Sequence, residues 1–307
     1  MTRVAAVDLG TNSTRLLVAD VDDGRVEEVR RRLEITRLGE GVDEQRLLLP
    51  APIARVHGVL DGYRRELESL GAEQTLAVAT SAVRDAGNGE AFLRELEGSY
   101  GFTTRLLTGS EEAALTFRGV TADREVEPGT LIVDIGGGST ELTVGGPGGV
   151  SSSASLQLGC VRLTERFLHA DPPGRDELAA CGAHVRAELP ALRPACAIGV
   201  AGTVTTLAAL DLGLAEYDAE RVHGHVLGRA AVERGFERLA ALPLAERRRV
   251  PALEPARAPV ILGGIAVLRE VLDAYALDEI EASEHDILHG AALAAAELRQ
   301  SVGSVSG

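Results

Sequence analysis

The sequence contains no lysine, and all 31 basic residues other than histidine are arginines. A P-loop needs a lysine for its phosphates and a Schiff base needs a lysine amine, so Walker-type ATPases and lysine-dependent aldolases are excluded. Cysteine is also scarce: Cys160, Cys181 and Cys196 form an odd set without metal-ligand spacing. This usage is typical of free thiols in a reducing compartment, so we expect a cytoplasmic protein.

Long apolar runs are also lacking, and acidic residues outnumber basic ones. No apolar run reaches the roughly 18 residues of a membrane span, so no membrane partner is expected. The net charge of −15 creates a field that repels nucleic acid, which is therefore not an expected partner. A polyanionic substrate is still compatible with this charge. Screening within about 8 Å in cells leaves recognition to local charges and a bound cation.

The chain contains one pattern twice. An apolar run, an aspartate, a turn with glycine and a second apolar run occur at 7–18 and again at 133–144, an offset of 126 residues. Each copy predicts a β-hairpin whose turn is rich in backbone N–H groups and flanked by a carboxylate. Two such turns facing each other across a cleft would hold a polyphosphate and a metal ion. The alternative is two ordinary hairpins.

Apolar periodicity predicts the same order of elements in both halves. The predicted strands are 3–8, 14–20, 26–36, 75–79, 103–107, 130–135, 140–145, 150–157, 196–200 and 278–282. The predicted helices are 53–70, 90–97, 110–120, 160–169, 176–189, 203–210, 228–240, 261–275 and 287–299. The polar segment 122–129 separates a predicted first domain, 1–122, from a second, 129–307. The last helix, 287–299, either belongs to the second domain or packs back on the first domain.

Three antiparallel strands followed by αβαβα, present twice, resemble the ribonuclease-H-like half of the actin, Hsp70 and sugar-kinase superfamily. The resemblance implies an α/β protein with two such domains and a cleft between them.

Within that superfamily, the sequence resembles the exopolyphosphatase and guanosine pentaphosphate phosphohydrolase family. The motifs that carry this resemblance are, in chain order, 5–13 (AAVDLGTNS), 79–86 (ATSAVRDA), 108–113 (TGSEEA), 134–141 (DIGGGSTE), 158–161 (LGCV) and 199–203 (GVAGT). Longer relatives carry a further C-terminal helical region that this sequence lacks, so binding of long polyphosphate that depends on that region is not expected here.

Phosphate binding is predicted at three places. Successive glycines allow backbone N–H groups to converge on phosphate oxygens, and neighbouring hydroxyl groups add donors. The first two places are the glycine turns of the two hairpins. The third is the start of a helix that follows a strand, which is a natural anion site. The predicted phosphate-binding residues are Gly10, Thr11, Asn12, Ser13, Gly136, Gly137, Gly138, Ser139, Thr140, Gly202 and Thr203.

Two adjacent glutamates are predicted to have different roles. With Thr108 as the N-cap, Glu111 occupies the reciprocal position of a capping box, which is a structural role. Glu112 projects from the same helical turn without that role, and its spacing to Asp134 resembles that of the family's catalytic glutamate. We predict that Glu112 orients and deprotonates water. The alternative is a solvated helix carboxylate.

Arg84 is predicted to bind phosphate from the first turn of a helix that begins at Thr80 or Ser81. A cation opposes the helix dipole there, whereas a bound phosphate reverses the sign of that interaction. The alternative is a salt bridge to Asp85 or Glu90.

Three carboxylates are candidate ligands for Mg²⁺, namely Asp8, Asp134 and Glu141. Mg²⁺ favours one or two carboxylates together with water and phosphate oxygens. The histidines are weaker candidates, because His223 and His225 form too small a cluster and residues 283–289 are better explained as the start of the last helix.

These features favour a hydrolase that releases the terminal phosphate from inorganic polyphosphate, with guanosine pentaphosphate as the second candidate substrate. Two rivals are an ATP-dependent kinase of the same fold and a non-catalytic sensor of polyphosphate or alarmone. The oligomeric state, including a homodimer, is open at this stage.

Overall fold

In the computed structural model, the backbone is described for residues 1–305 and the side chains for residues 1–299. The chain divides into two compact units, Met1–Glu125 with Asp286–Gly307, and Val126–His285. The chain passes from the first unit to the second between Glu125 and Val126, within the polar segment 122–129. The chain returns to the first unit at Asp286, so the final helix belongs to the first unit rather than to the second. None of the described helices is long and apolar enough to cross a bilayer.

The first unit contains a sheet with the order β3-β2-β1-β4-β5. Strands β1, β2 and β3 are antiparallel, whereas β4 and β5 run parallel to β1. Its elements are β1 (Thr2–Leu9), β2 (Thr14–Asp22), β3 (Arg25–Glu34), α1 (Val42–Gln45), α2 (Pro50–Leu70), β4 (Gln74–Ala79), α3 (Ser81–Asp85), α4 (Gly89–Tyr100), β5 (Thr103–Leu106), α5 (Gly109–Val120) and α13 (Ile287–Val305).

Both faces of this sheet are buried. Side chains alternate across a strand, so Ala5 and Val7 of β1 join one apolar core while Val4 and Ala6 join another. Helices α2 and α4 cover the first face, and α5 and α13 lie on the second. The predicted α/β layering with three antiparallel strands is confirmed in this unit.

Helices α5 and α13 cross at a pair of glycines. A Cβ atom on Gly119 would lie 1.9 Å from the carbonyl oxygen of Asp286, and one on Gly290 would lie 2.0 Å from that of Leu115. These neighbours are backbone atoms, so they cannot move aside as a flexible side chain would. The two glycines therefore bring the backbones of the helices into direct contact.

The second unit contains a sheet with the order β10-β11-β9-β6-β7-β8. Strands β6, β7 and β8 are antiparallel, and β9 runs parallel to β6 and β11. Its elements are β6 (Thr130–Ile135), β7 (Thr140–Gly146), β8 (Gly149–Leu156), α6 (Cys160–Phe167), α7 (Arg175–Glu188), β9 (Cys196–Val200), α8 (Ala201–Asp211), α9 (Ala219–Val222), β10 (Val226–Gly228), α10 (Arg229–Ala240), α11 (Leu244–Arg247), α12 (Ile261–Ala274) and β11 (Glu279–Ala282).

The sequence predicted the long elements of both units and missed short ones. The prediction lacked α1, α9, α11 and β10, which have three or four residues each and cannot show a repeating apolar pattern. Strand β3 ends at Glu34, so the predicted end at residue 36 was wrong. The chain turns there because Arg37 has a left-handed φ of 51°.

Candidate active site

The first glycine turn, residues 10–13, closes the hairpin of β1 and β2. The Gly10 amide donates to the Ser13 carbonyl at 3.0 Å. The carbonyls of Thr11 and Asn12 accept hydrogen bonds from backbone amides of residues 37–39, at 2.8 and 2.9 Å. A trans peptide directs its C=O and N–H in opposite directions. The amides of Asn12 and Ser13 therefore face away from this segment and can donate to an anion.

The second glycine turn has the same arrangement with a different support. The carbonyls of Gly136 and Gly137 accept hydrogen bonds from the first amides of α6, each at 2.9 Å. The carbonyl of Gly138 accepts one from Arg162 Nε at 2.9 Å. Since these three carbonyls are directed towards α6, the amides of residues 137–139 are directed away from it. A Cβ atom on Gly159 would lie 2.1 Å from the Gly137 oxygen, so this contact requires glycine.

Helix α5 begins with the capping box that the sequence predicted. The Glu111 amide donates to Thr108 Oγ1 at 3.2 Å, and Glu111 Oε2 accepts from the Thr108 amide at 2.8 Å. These hydrogen bonds from Thr108 favour the charged carboxylate and hold the pKa of Glu111 below its usual range. The structural role predicted for Glu111 is confirmed.

Glu112, one residue further, lies in a different environment. It is 7% exposed, and its Oε2 accepts from Arg84 Nη1 at 3.1 Å. The same Arg84 nitrogen donates to the Leu107 carbonyl at 2.7 Å. Arg84 lies in α3, which begins at Ser81 as predicted, but its ion pair is with Glu112 rather than with Asp85 or Glu90. The two residues predicted to act on the terminal phosphate are therefore in contact.

The first glycine turn is tied to the helix that carries Arg84. Thr11 Oγ1 and Ser81 Oγ are hydrogen-bonded at 2.9 Å, and both residues are buried. Within the first unit, the turn, Arg84 and Glu112 thus form one connected group.

Asp8, at the end of β1, is buried and shares Arg15 with another carboxylate. Its Oδ2 accepts from Arg15 Nη2 at 2.7 Å and Nε at 2.9 Å, while Arg15 Nη1 pairs with Asp286. Burial raises the pKa of Asp8 even though Arg15 opposes the shift. Its other oxygen, Oδ1, is buried without a hydrogen-bond partner. A buried acceptor without a partner in the protein is available to a bound ligand or cation.

Asp134 and Glu141 are directly opposite each other on β6 and β7. Both are buried, at 8% and 2% exposure, and side chains of opposite residues in an antiparallel pair lie on the same face. Glu141 Oε1 accepts from Ser155 Oγ at 2.7 Å. Two carboxylates on one face are a donor set that suits Mg²⁺. Within the described part of the chain, no group of three or more histidine, cysteine or acidic side chains forms a metal site.

The predicted anion site at the start of α8 contains an arginine that the sequence did not single out. A Cβ atom on Gly202 would lie 0.8 Å from Arg257 Nη1, so the guanidinium occupies the space that glycine leaves. Thr203 is buried next to it and packs against Gly264. Nothing in the sequence near Arg257 distinguishes it from other arginines, because its position depends on the fold.

Arg15 and Arg162 were also missed. Arg162 directly follows the 158–161 motif, and nothing in the sequence distinguishes it from the other residues of the predicted helix 160–169. A signal for Arg15 does exist: it occupies the position in the first hairpin that Glu141 occupies in the second. The histidines contact protein groups, as His225 pairs with Asp211 and His223 accepts from the Glu284 amide.

Comparison with known proteins identifies the family of this chain. The sequence model of the Ppx/GppA phosphatase family matches residues 17–297. The chain belongs to the Ppx/GppA phosphatase family. Exopolyphosphatase 2 of Mycobacterium tuberculosis is 40% identical over 317 residues, covering 96% of this chain and 99% of that protein.

Solved structures of the family have the same fold. An exopolyphosphatase-like protein superposes with a TM-score of 0.90 at 34% identity, covering 97% of this chain and 100% of that one. The Ppx/GppA family member from Aquifex aeolicus superposes with a TM-score of 0.84 at 32% identity, covering 97% and 98%. The predicted family and its two-part α/β fold are confirmed.

Proposed function

We propose that this Ppx/GppA phosphatase is an exopolyphosphatase, which releases the terminal phosphate from inorganic polyphosphate. The observation that carries the proposal is the contact between Glu112 and Arg84, in a chain that is 40% identical to a protein named an exopolyphosphatase. A buried carboxylate next to a guanidinium supplies a base for water and a donor for phosphoryl oxygens.

In this mechanism, Glu112 accepts a proton from the attacking water as the water oxygen bonds to the terminal phosphorus. The bond from that phosphorus to the bridging oxygen breaks, and the shortened chain leaves with the electron pair. Arg84 donates hydrogen bonds to the phosphoryl oxygens, and the amides of the first glycine turn bind further oxygens. Phosphoryl transfer depends mainly on positioning and charge neutralisation, which these groups provide.

The carboxylates are suited to Mg²⁺, which we propose as the cofactor. Asp134 and Glu141 would hold it in the second unit, and Asp8 is a candidate in the first through its unpartnered Oδ1. When bound, Mg²⁺ supplies positive charge to phosphate oxygens. Such neutralisation matters in a protein whose own net charge is −15.

The test is release of phosphate from long-chain polyphosphate and from guanosine pentaphosphate, measured side by side with Mg²⁺. We expect faster release from polyphosphate. Faster release from guanosine pentaphosphate would assign the chain to the second substrate, and no release from either would overturn the proposal. Incubation with ATP and common sugars tests the kinase alternative, which requires a phosphorylated acceptor.

A further inference from the structure

The two glycine turns differ in what holds their third residue. Each turn is closed by the same hydrogen bond, from the amide of its first residue to the carbonyl of its fourth, at 3.0 Å. The third residue of the first turn is Asn12, whose carbonyl accepts from the backbone amide of Arg37 at 2.9 Å. The third residue of the second turn is Gly138, whose carbonyl accepts from a side chain, Arg162 Nε, at 2.9 Å. The second turn therefore depends on a particular residue type where the first depends on backbone alone.

Arg162 fixes the last peptide of a run of three glycines. Glycine allows a wide range of backbone angles, so a peptide in such a run keeps one orientation only where hydrogen bonds hold it. The carbonyls of Gly136 and Gly137 are held by backbone amides of α6, each at 2.9 Å. The next peptide joins Gly138 to Ser139, and Arg162 holds its carbonyl on the α6 side. In a trans peptide this directs the Ser139 N–H to the opposite side, which is the side of the other amides of the turn.

The position of Arg162 is unfavourable for a cation. The side chain is partly buried, and this burial lowers the pKa of Arg162, with Glu165 opposing the shift. Arg162 also lies in the first turn of α6, where a positive charge opposes the helix dipole. An uncharged donor would hold the Gly138 carbonyl without these two costs. A bound anion at the amide side of the turn offsets both of them, because it attracts the guanidinium as well as the helix terminus.

We propose that Arg162 is a positioning residue for polyphosphate, which keeps the Ser139 N–H directed at a phosphate oxygen. The guanidinium is on the carbonyl side of the peptide, so it acts through the peptide rather than on the phosphate. A charged hydrogen bond to the Gly138 oxygen also polarises the peptide and makes the Ser139 N–H a stronger donor. The inference rests on the proposed function and names a residue of the second unit on which substrate affinity depends.

The experiment compares Arg162→Met with Arg166→Met. Arg166 lies one turn further along α6, is exposed, and contacts the ring of Phe167 and the side chain of His184. KM and kcat are measured with tripolyphosphate and with long-chain polyphosphate in the presence of Mg²⁺. Arg162→Met should raise KM about tenfold or more with little change in kcat, because a lost charged hydrogen bond weakens ground state and transition state alike. Arg166→Met should keep the KM of the unmodified protein.

A binding measurement without turnover accompanies the kinetics. The probe is methylenediphosphonate, whose P–C–P bridge is not hydrolysed, and its affinity is measured by calorimetry with Mg²⁺. Arg162→Met should lose affinity by about the factor by which its KM rises, and Arg166→Met should lose none. Thermal unfolding of both variants is recorded alongside. A purely structural role for Arg162 would lower Tm and leave both KM and the affinity for the probe unchanged.

Two milder variants keep the test valid if Arg162→Met does not fold. Arg162→Lys retains a charged donor and should recover most of the affinity. Arg162→Gln retains an uncharged donor, which orients the peptide but polarises it less, so its KM should lie above that of Arg162→Lys. Equal KM values in these two variants and in the unmodified protein would overturn the proposal.

The remaining outcomes separate this inference from the proposed function. Equal KM values for Arg162→Met and Arg166→Met would overturn the role of Arg162, as would a fall in kcat alone. If the unmodified protein releases no phosphate from polyphosphate of any length, the proposed function itself fails. The calorimetric comparison of the two variants then decides separately whether Arg162 supports phosphate binding.

Discussion

Asp8 and Arg15 are paired across β1 and β2, whereas the matching positions of the second unit hold two carboxylates, Asp134 and Glu141. In one copy of the repeated hairpin an arginine is opposite the aspartate, and in the other copy two acidic residues are opposite each other. Burial of two carboxylates on one face is costly unless a cation or hydrogen bonds compensate them. From this asymmetry we expect the second unit to attract Mg²⁺ more strongly than the first.

This asymmetry leads to a prediction about metal affinity. Removing Mg²⁺ with EDTA should abolish phosphate release, and added Mg²⁺ should restore it. Glu141→Gln should weaken Mg²⁺ binding, measured by calorimetry without substrate, by tenfold or more. Asp8→Asn should weaken it less, because the positive charge of Arg15 lies next to Asp8. Full activity in excess EDTA would refute the metal requirement, and equal losses in the two variants would refute the division between the hairpins.

The adjacent glutamates of α5 offer a matched pair of variants. Glu112→Gln should lower kcat by about 10²–10⁴-fold while Tm is nearly retained, because it removes the base and preserves the shape. Glu111→Gln should keep kcat and lower the free energy of unfolding by about 0.5–1 kcal/mol, because it weakens the capping box. Near-normal turnover in Glu112→Gln would contradict the assignment of the base.

Asp286 gives a prediction about acid stability. Burial alone would raise its pKa, but the charges of Arg15 and other positive groups outweigh burial and lower the pKa to about 2. The pKa is depressed, so the stabilisation is complete above about pH 4 and is lost as the pH falls towards 2. Asp286→Asn should lower the free energy of unfolding by about 2 kcal/mol at pH 7.

The measurement for Asp286 is urea unfolding from pH 7 down to pH 2. The difference between the unmodified protein and Asp286→Asn should shrink across the pH 4 to 2 window. A difference that stays constant with pH would mean that the charge of Asp286 is not the cause.

The crossing of α5 and α13 gives a prediction about packing. Gly119→Ala should destabilise the protein by about 1–3 kcal/mol or more, because the added methyl group meets backbone atoms of α13. Gly98→Ala in α4 is the control, since a Cβ atom there has open space. It should stabilise by about 0.5–1 kcal/mol through helix propensity. Equal Tm changes in thermal unfolding would show that the crossing tolerates a larger residue.

Features that depend on neighbours in the sequence were determined by the sequence itself. The capping box of Thr108 and Glu111 needs residues three positions apart, and helix α2 ends at Gly71, which has the left-handed conformation that its position predicts. The two hairpins are equally local, because the strand pattern and the glycine turn together fix their register.

Only the tertiary structure determined which distant side chains meet. Arg15 is 271 residues from Asp286, and Arg84 is 28 residues from Glu112, yet each pair is in contact. Arg257 lies against Gly202 because an absent side chain leaves room for it. Periodicity specifies which face of an element is buried, but the partner of a buried charge depends on how whole elements pack. That packing follows from the shapes of all the surfaces together, which no local stretch of sequence contains.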